Sequence, residues 1–242
     1  MRIDPEACTA CGDCHPYCPT EAISSDDGVG VIDTDLCVEC YVCLRSGVCP
    51  NQAFVADTLE WPRIIRHVYS AVQPVQSGSG QIDGRGTAEM KTNDVTDRYK
   101  HGEAGFTVDI GRPGLGATFA DVERIAAAVA QLGVVFEPVN PVTKLMTDVT
   151  TGSLREDILS ERVLSCILEF KVPEVEAPAV VAALERVAGD IDTVFSVGCI
   201  SRCRDDGTAP VKAILDRAGV SLRPNGKVNI GLGWRAKSDI SS

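Results

Sequence analysis

A chain of 242 residues is long enough for one large domain or two ordinary ones, and its 44% apolar content can bury a core, which excludes wholesale disorder. The net charge of -11 argues against nucleic acid, because phosphate binding needs clustered Lys and Arg. The longest near-apolar stretch, around Ile125 to Phe136, falls far short of the ~18 residues that span a bilayer. Met1 to Glu6 lack the apolar run of a secretory signal, so no membrane span and a reducing, cytoplasmic location are expected.

In chain order the cysteines come first, eight of the eleven within residues 1–49. Cys8, Cys11, Cys14 and Cys18 read C-x2-C-x2-C-x3-C-P, ending at Pro19. Cys37, Cys40, Cys43 and Cys49 read C-x2-C-x2-C-x5-C-P, ending at Pro50. A disulfide framework would suit an exported module, which this chain does not resemble. Zinc would want two separated pairs of ligands. Three cysteines at i, i+3 and i+6 instead suit three corners of an iron–sulfur cubane, with a fourth thiolate arriving from elsewhere.

The two runs are also an internal repeat. Ile3-Asp4 matches Ile32-Asp33, Cys8 matches Cys37, and Pro19 to Ile23 matches Pro50 to Phe54. Duplicated halves can pack about a pseudo-two-fold axis, bringing the fourth cysteine of each half to the other half's cluster. On these residues the chain resembles the bacterial two-cluster 2[4Fe-4S] ferredoxins over positions 1–57. The resemblance implies two [4Fe-4S] clusters, one held by Cys8, Cys11, Cys14 and Cys49, the other by Cys37, Cys40, Cys43 and Cys18. It implies single low-potential electrons passed to or from a partner oxidoreductase. Pro19 and Pro50 fix the backbone after each crossing cysteine, and Gly12 permits positive φ. Two positions depart from the pattern: Tyr41 stands where the first half has Gly12, and the loop from Leu44 to Val48 is two residues longer. Unequal cluster potentials are therefore expected. Residues 1–60 hold eleven acids against Arg2 and Arg45, which is -9 of the total -11. Such a surface suits transient docking on a basic redox partner.

Three regions are expected: a ferredoxin domain over 1–60, a helix and Gly/Ser-rich linker over 61–104, and an α+β domain over 105–242. Trp61 to Ser70 reads as a helix with Pro62 in its first turn and Ile64, Ile65 and Val68 on one face. Ser77 to Gly80 and Gly84 to Gly86 read as linker. Phe106 to Ile110 alternates like a strand, and Thr118 can cap a helix to about Leu132. Val134 to Phe136 follows as a strand, and Ser153 with Glu156 signals a capping box for a helix to about Arg162. Val163–Val172 and Asp192–Gly198 read as strands flanking a helix over Glu176–Ala188. The order β-α-β, β-α-β makes the second half a split-βαβ, or ferredoxin-like plait. A helix near Pro210–Ala218 and a hairpin at Asn225-Gly226 close the chain.

Gly111 to Gly116 lies between strand and helix, where an anion could bind, with Glu137 placed like a ribose-binding acid. Its G-x2-G-x-G spacing is off the dinucleotide pattern, so a turn and N-cap are the preferred reading. Cys166, Cys199 and Cys203 read as core thiols, because in such a sheet their strands are not neighbours. No nucleophile–base or metal-hydrolase motif is present, which favours an electron carrier with a docking or dimerising second half. The alternative is an oxidoreductase or its subunit, in which residues 105–242 bind a flavin, nucleotide or substrate.

Overall fold

The computed structural model describes residues 1–72, 93–112 and 114–223. The glycine-rich stretches at Ser77–Gly80 and Gly84–Gly86 and the hairpin expected at Asn225-Gly226 lie outside the described residues. The protein is a mixed helix and sheet structure, in which a cysteine-rich N-terminal segment precedes a larger half.

That segment carries four short strands, β1 (Arg2–Ile3), β2 (Ile23–Asp26), β3 (Val29–Ile32) and β4 (Phe54–Val55). β1 pairs antiparallel with β4 and β2 with β3, setting Ile3 opposite Phe54 and Ile23 opposite Ile32. Each ribbon therefore joins one half of the duplication to the other. The backbone repeats as the sequence does: Asp4 N–H donates to Ala53 O and Asp33 N–H to Ala22 O, both at 2.8 Å. Left-handed backbone recurs at equivalent places, at Ala10 and Glu39, at Gly12 and Tyr41, and at Glu21 and Gln52. The longer loop of the second half closes into one helical turn, α1 (Val42–Arg45), with Arg45 N–H on Tyr41 O at 2.9 Å. At the equivalent place the first half closes a tighter 3-10 turn over His15–Tyr17. Met1, Ile23, Tyr41, Phe54, Leu59 and Ile64 make a small core here.

Helix α2 (Ile64–Ser70) starts one turn later than the sequence suggests, and all of its residues are buried. Ile64 joins the small core, whereas Ile65, Val68 and Tyr69 join a larger one. One short helix is thus the wedge between both halves. After it, a single turn, α3 (Asn93–Thr96), anchors the chain: Asn93 Oδ1 accepts from Tyr99 N–H at 2.7 Å, and Tyr99 is buried over the backbone at Gly105.

The larger half is built on β5 (Glu103–Ile110), which leads through β6 (Ala117–Thr118) into helix α4 (Phe119–Ala130) and β7 (Val135–Phe136). β8 (Met146–Asp148) and β9 (Ser153–Leu154) form a small ribbon, and β10 (Arg162–Val163) pairs with β6. Then come β11 (Cys166–Pro173), helix α5 (Ala177–Val187), β12 (Phe195–Ser201) and helix α6 (Pro210–Arg217). The main sheet has the order β12-β5-β11-β7, antiparallel throughout. Alternation puts Ala104, Phe106, Val108 and Ile110 on one face with Cys166, Leu168, Phe170 and Val172, against the apolar stripes of α4 and α5. Phe106 and Phe170 stack at 5.6 Å, an arrangement worth about 0.5–1.5 kcal/mol beyond burial. Thr118 caps α4 as expected, its Oγ1 accepting from Asp121 N–H at 3.2 Å.

One expected helix is absent. Ser153 and Glu156 do not form a capping box; Ser153–Leu154 is strand and only Glu156–Ile158 turns, as a 3-10 helix. Glu123 of α4 accepts from Leu154 N–H at 2.7 Å, and Leu154 and Ile158 are drawn into the core, so tertiary contacts override the local signal.

Candidate iron–sulfur centres

The strand pairings bring the cysteines together. Cys49 lies five residues before Phe54, and the pairing of β1 with β4 carries it to the loop after Ile3. There Cys8, Cys11, Cys14 and Cys49 line one cavity, with Asp13 and His15 at its wall. Burial pushes the Cys14 thiol up, and the Cys11, Cys49 and Cys8 sulfurs add to it. The pairing of β2 with β3 does the same for the other set. Burial pushes the Cys43 thiol up to about 12, with Cys40, Cys37 and Cys18 as its sulfur neighbours. Each crossing cysteine thus sits with the triplet of the opposite half.

Backbone amides point at the sulfurs. Ala10 and Gly30 N–H donate to Cys8 Sγ at 3.4 and 3.3 Å, Ala53 to Cys49 at 3.3 Å, and Ala22 to Cys18 at 3.2 Å. Gly30 fits closely there: a Cβ would lie 3.0 Å from the tip of Ile3 and 3.4 Å from Cys8 Sγ. Among the described residues no three His, Cys, Asp or Glu side chains converge as a single metal ion would need. Thiols spread around a cavity, with amides aimed at them, fit a cubane, where each cysteine holds its own iron. Cysteines held protonated by burial become ligands as iron displaces the proton.

The two sets differ in their surroundings. Cys11 of the first is exposed, whereas Cys40 of the second is buried. Glu39, between Cys37 and Cys40, is wholly buried and accepts from the Met1 amine at 2.8 Å and from Arg63 at 2.7 and 2.9 Å. Arg66 donates to the carbonyls of Thr34 and Cys37 at 2.9 Å and Asp35 at 3.2 Å, and pairs with buried Glu161 of the larger half. Arg45 donates to Cys40 O at 3.1 Å and Tyr41 O at 3.4 Å, and His67 Nδ1 bonds Glu39 O at 2.8 Å. Burial and Glu39 push the Cys37 thiol up to about 11, while the Met1 amine and Arg63 draw it back. Tyr41 holds φ at +58°, a left-handed conformation costing about 1–3 kcal/mol for a non-glycine residue. Its ring packs 4.3 Å from that of His67, which keeps it buried. Sequence reading missed Glu39, Arg63, Arg66 and the amine as one network, because its members are 24 to 38 residues apart.

The other flagged residues have structural roles. Gly111 and Gly116 have positive φ, and a Cβ on either would meet the Leu164 or Val163 carbonyl at 2.8 Å. Close packing therefore explains these glycines. Glu137 pairs with Arg98 at 3.2 Å. Cys166 is a core thiol, its pKa raised by burial and by Asp109. Cys199 and Cys203 are not core thiols. Both are exposed, Cys199 on the edge strand β12, where it pairs with Phe106, and Cys203 two residues past its end.

Residues 1–24 match the family described as 4Fe-4S binding domain. Ferredoxin-1 of Rhodobacter capsulatus is 62% identical over 40 residues, 16% of this chain and 62% of that protein. The ferredoxin-like protein in the vnf region of Azotobacter chroococcum is 51% identical over 55 residues, 21% of this chain and 82% of its own length. Ferredoxin-1 of Chlorobaculum tepidum is 44% identical over 54 residues, 21% and 87% of the two chains. No solved structure matches. The N-terminal segment is an iron–sulfur electron-transfer module that binds a 4Fe-4S centre. Through that segment the chain belongs to the bacterial ferredoxin family. It spans only 62% of the length of the first curated relatives it matches. Among the described residues no helix is long and apolar enough to cross a membrane.

Proposed function

We propose that the protein is a two-cluster electron carrier, passing single electrons through two [4Fe-4S] centres to or from a partner oxidoreductase. Cys8, Cys11, Cys14 and Cys49 hold one centre; Cys37, Cys40, Cys43 and Cys18 hold the other. The observation that carries this reading is the crossing, in which Cys49 lines the cavity of the first triplet and Cys18 neighbours Cys43. The partner presents a basic surface to the acidic module, and docking falls beside exposed Cys11 and Asp13. Buried Glu39 takes no part in that surface, since it is spent on the Met1 amine and Arg63. Residues 103–201 form a split-βαβ plait, supported by the strand–helix–strand repeat and the order β12-β5-β11-β7. That half serves docking or self-assembly and carries no cofactor of its own.

Anaerobically purified protein should contain about eight irons and eight acid-labile sulfides, as two cubanes require. Cys49→Ser should alter the EPR signal of the centre shared with Cys8, and Cys18→Ser that of the centre shared with Cys37. Four irons per chain, or signals that follow sequence proximity, would refute the proposal.

A further inference from the structure

The charged groups held against the two sets of cysteines differ. Around the second set lie four cationic groups: the Met1 amine and Arg63 on Glu39, Arg66 on Cys37 O, and Arg45 on Cys40 O and Tyr41 O. Buried Glu39 and Glu161 answer two of these, leaving two in excess among the groups bonded to the loop, while Asp33 and Asp35 of the same loop are exposed to solvent. Asp57, 3.5 Å from the amine, is matched by Arg2 at 2.9 Å. Arg45 has no acidic partner among the described residues, yet its guanidinium sits on the carbonyl of a cluster-loop cysteine. Around the first set the donors are backbone amides, and the charged carboxylate on the cavity wall is Asp13.

Reduction adds one negative charge to a cubane, so nearby cations favour the reduced form and nearby carboxylates oppose it. Burial of the second set acts the other way, since a low dielectric disfavours the more negative state. The same low dielectric strengthens attraction to guanidinium groups held within hydrogen-bond reach of the loop, and those groups are fixed before the electron arrives. Among the described residues no Lys or Arg lines the first set's cavity.

We propose that the cationic collar of Arg45, Arg63, Arg66 and the Met1 amine makes the Cys37–Cys40–Cys43–Cys18 centre the higher-potential one. An electron taken up at the exposed Cys11 side then passes inward and rests there, one electron leaving the first centre as one reaches the second. Arg45 and Arg66 are positioning residues that act through the loop carbonyls. The inference rests on the two-cluster reading above and adds its direction.

The test is an anaerobic redox titration of the full chain with dithionite, followed by EPR and preceded by iron analysis. Two one-electron steps are expected. Arg45→Gln, at an exposed side chain, should lower only the upper step, by up to about tenfold in the equilibrium constant, which is 59 mV for one electron. Arg45→Lys should restore most of it. Asp13→Asn should raise only the lower step. Coincident steps with eight irons present, or an Arg45→Gln shift confined to the lower step, would overturn the inference while leaving two clusters standing. Four irons would overturn the two-cluster reading and the inference with it. Should Arg45→Gln lose iron, the Asp13→Asn titration decides, since a shift in the upper step refutes the assignment.

Discussion

Arg66→Ala is expected to separate the ferredoxin module from the rest of the protein more effectively than any other single change. Its guanidinium reaches Thr34, Asp35 and Cys37 carbonyls on one side and Glu161 on the other, with side chains only 7% and 10% exposed. Removing one partner of a buried pair leaves the other charge stranded, at a cost of about 3–5 kcal/mol. The lost carbonyl bonds belong to the same network and are not added to that figure. Because iron loss makes unfolding irreversible, the sound measure is a rate: bleaching of the iron–sulfur absorbance in denaturant, anaerobically and at fixed temperature. If the interface breaks before the unfolding barrier, the rate should rise by about a hundredfold to a few thousandfold. Arg66→Met with Glu161→Leu removes both charges while filling the space, and should fall between wild type and the single variant. A single variant bleaching within fivefold of wild type would refute the view that this pair welds the halves.

Electron transfer to a basic partner should slow steeply as salt rises past ~0.15 M, where the screening length is about 8 Å. A rate independent of salt would point to a permanent apolar interface instead. Cys166→Ala should cost on the order of 1 kcal/mol in stability and leave the iron content unchanged, because that thiol is buried far from the cysteine loops in sequence and packs in the larger core. Iron loss on that substitution would make Cys166 part of a metal site.

What was legible in the sequence was the chemistry with strict spacing. Cysteines at i, i+3 and i+6 admit few loop conformations, and duplication carried the same offsets into backbone angles at Gly12 and Tyr41. Alternation was legible in β5, where Phe106, Val108 and Ile110 are buried between half-buried neighbours, but not in β11, which is buried on both faces from Cys166 to Phe170. The collar of cations was not. Arg63 and Arg66 read as ordinary helix residues, and nothing local tells a surface arginine from one donating to Cys37 O. The capping signal at Ser153 failed for a similar reason, since the competing partner, Glu123, lies 31 residues away on α4.

Helix α2 is where these threads meet. A free-standing carrier needs only its own small core, yet Ile64 completes that core while Ile65, Val68 and Tyr69 are committed to the other. Arg66 and His67, between them on the same turn, hold the backbone of the second cysteine loop at Cys37 and Glu39. Any displacement of the larger half would therefore move donors that sit on that loop, whereas the first loop has no such tie among the described residues. Among the described residues the larger half is thus tied by geometry to the second cysteine loop. On the proposed two-cluster reading, a partner docking there would act on the potential or the stability of the centre held by that loop, and one docking at Cys11 would exchange electrons with the other.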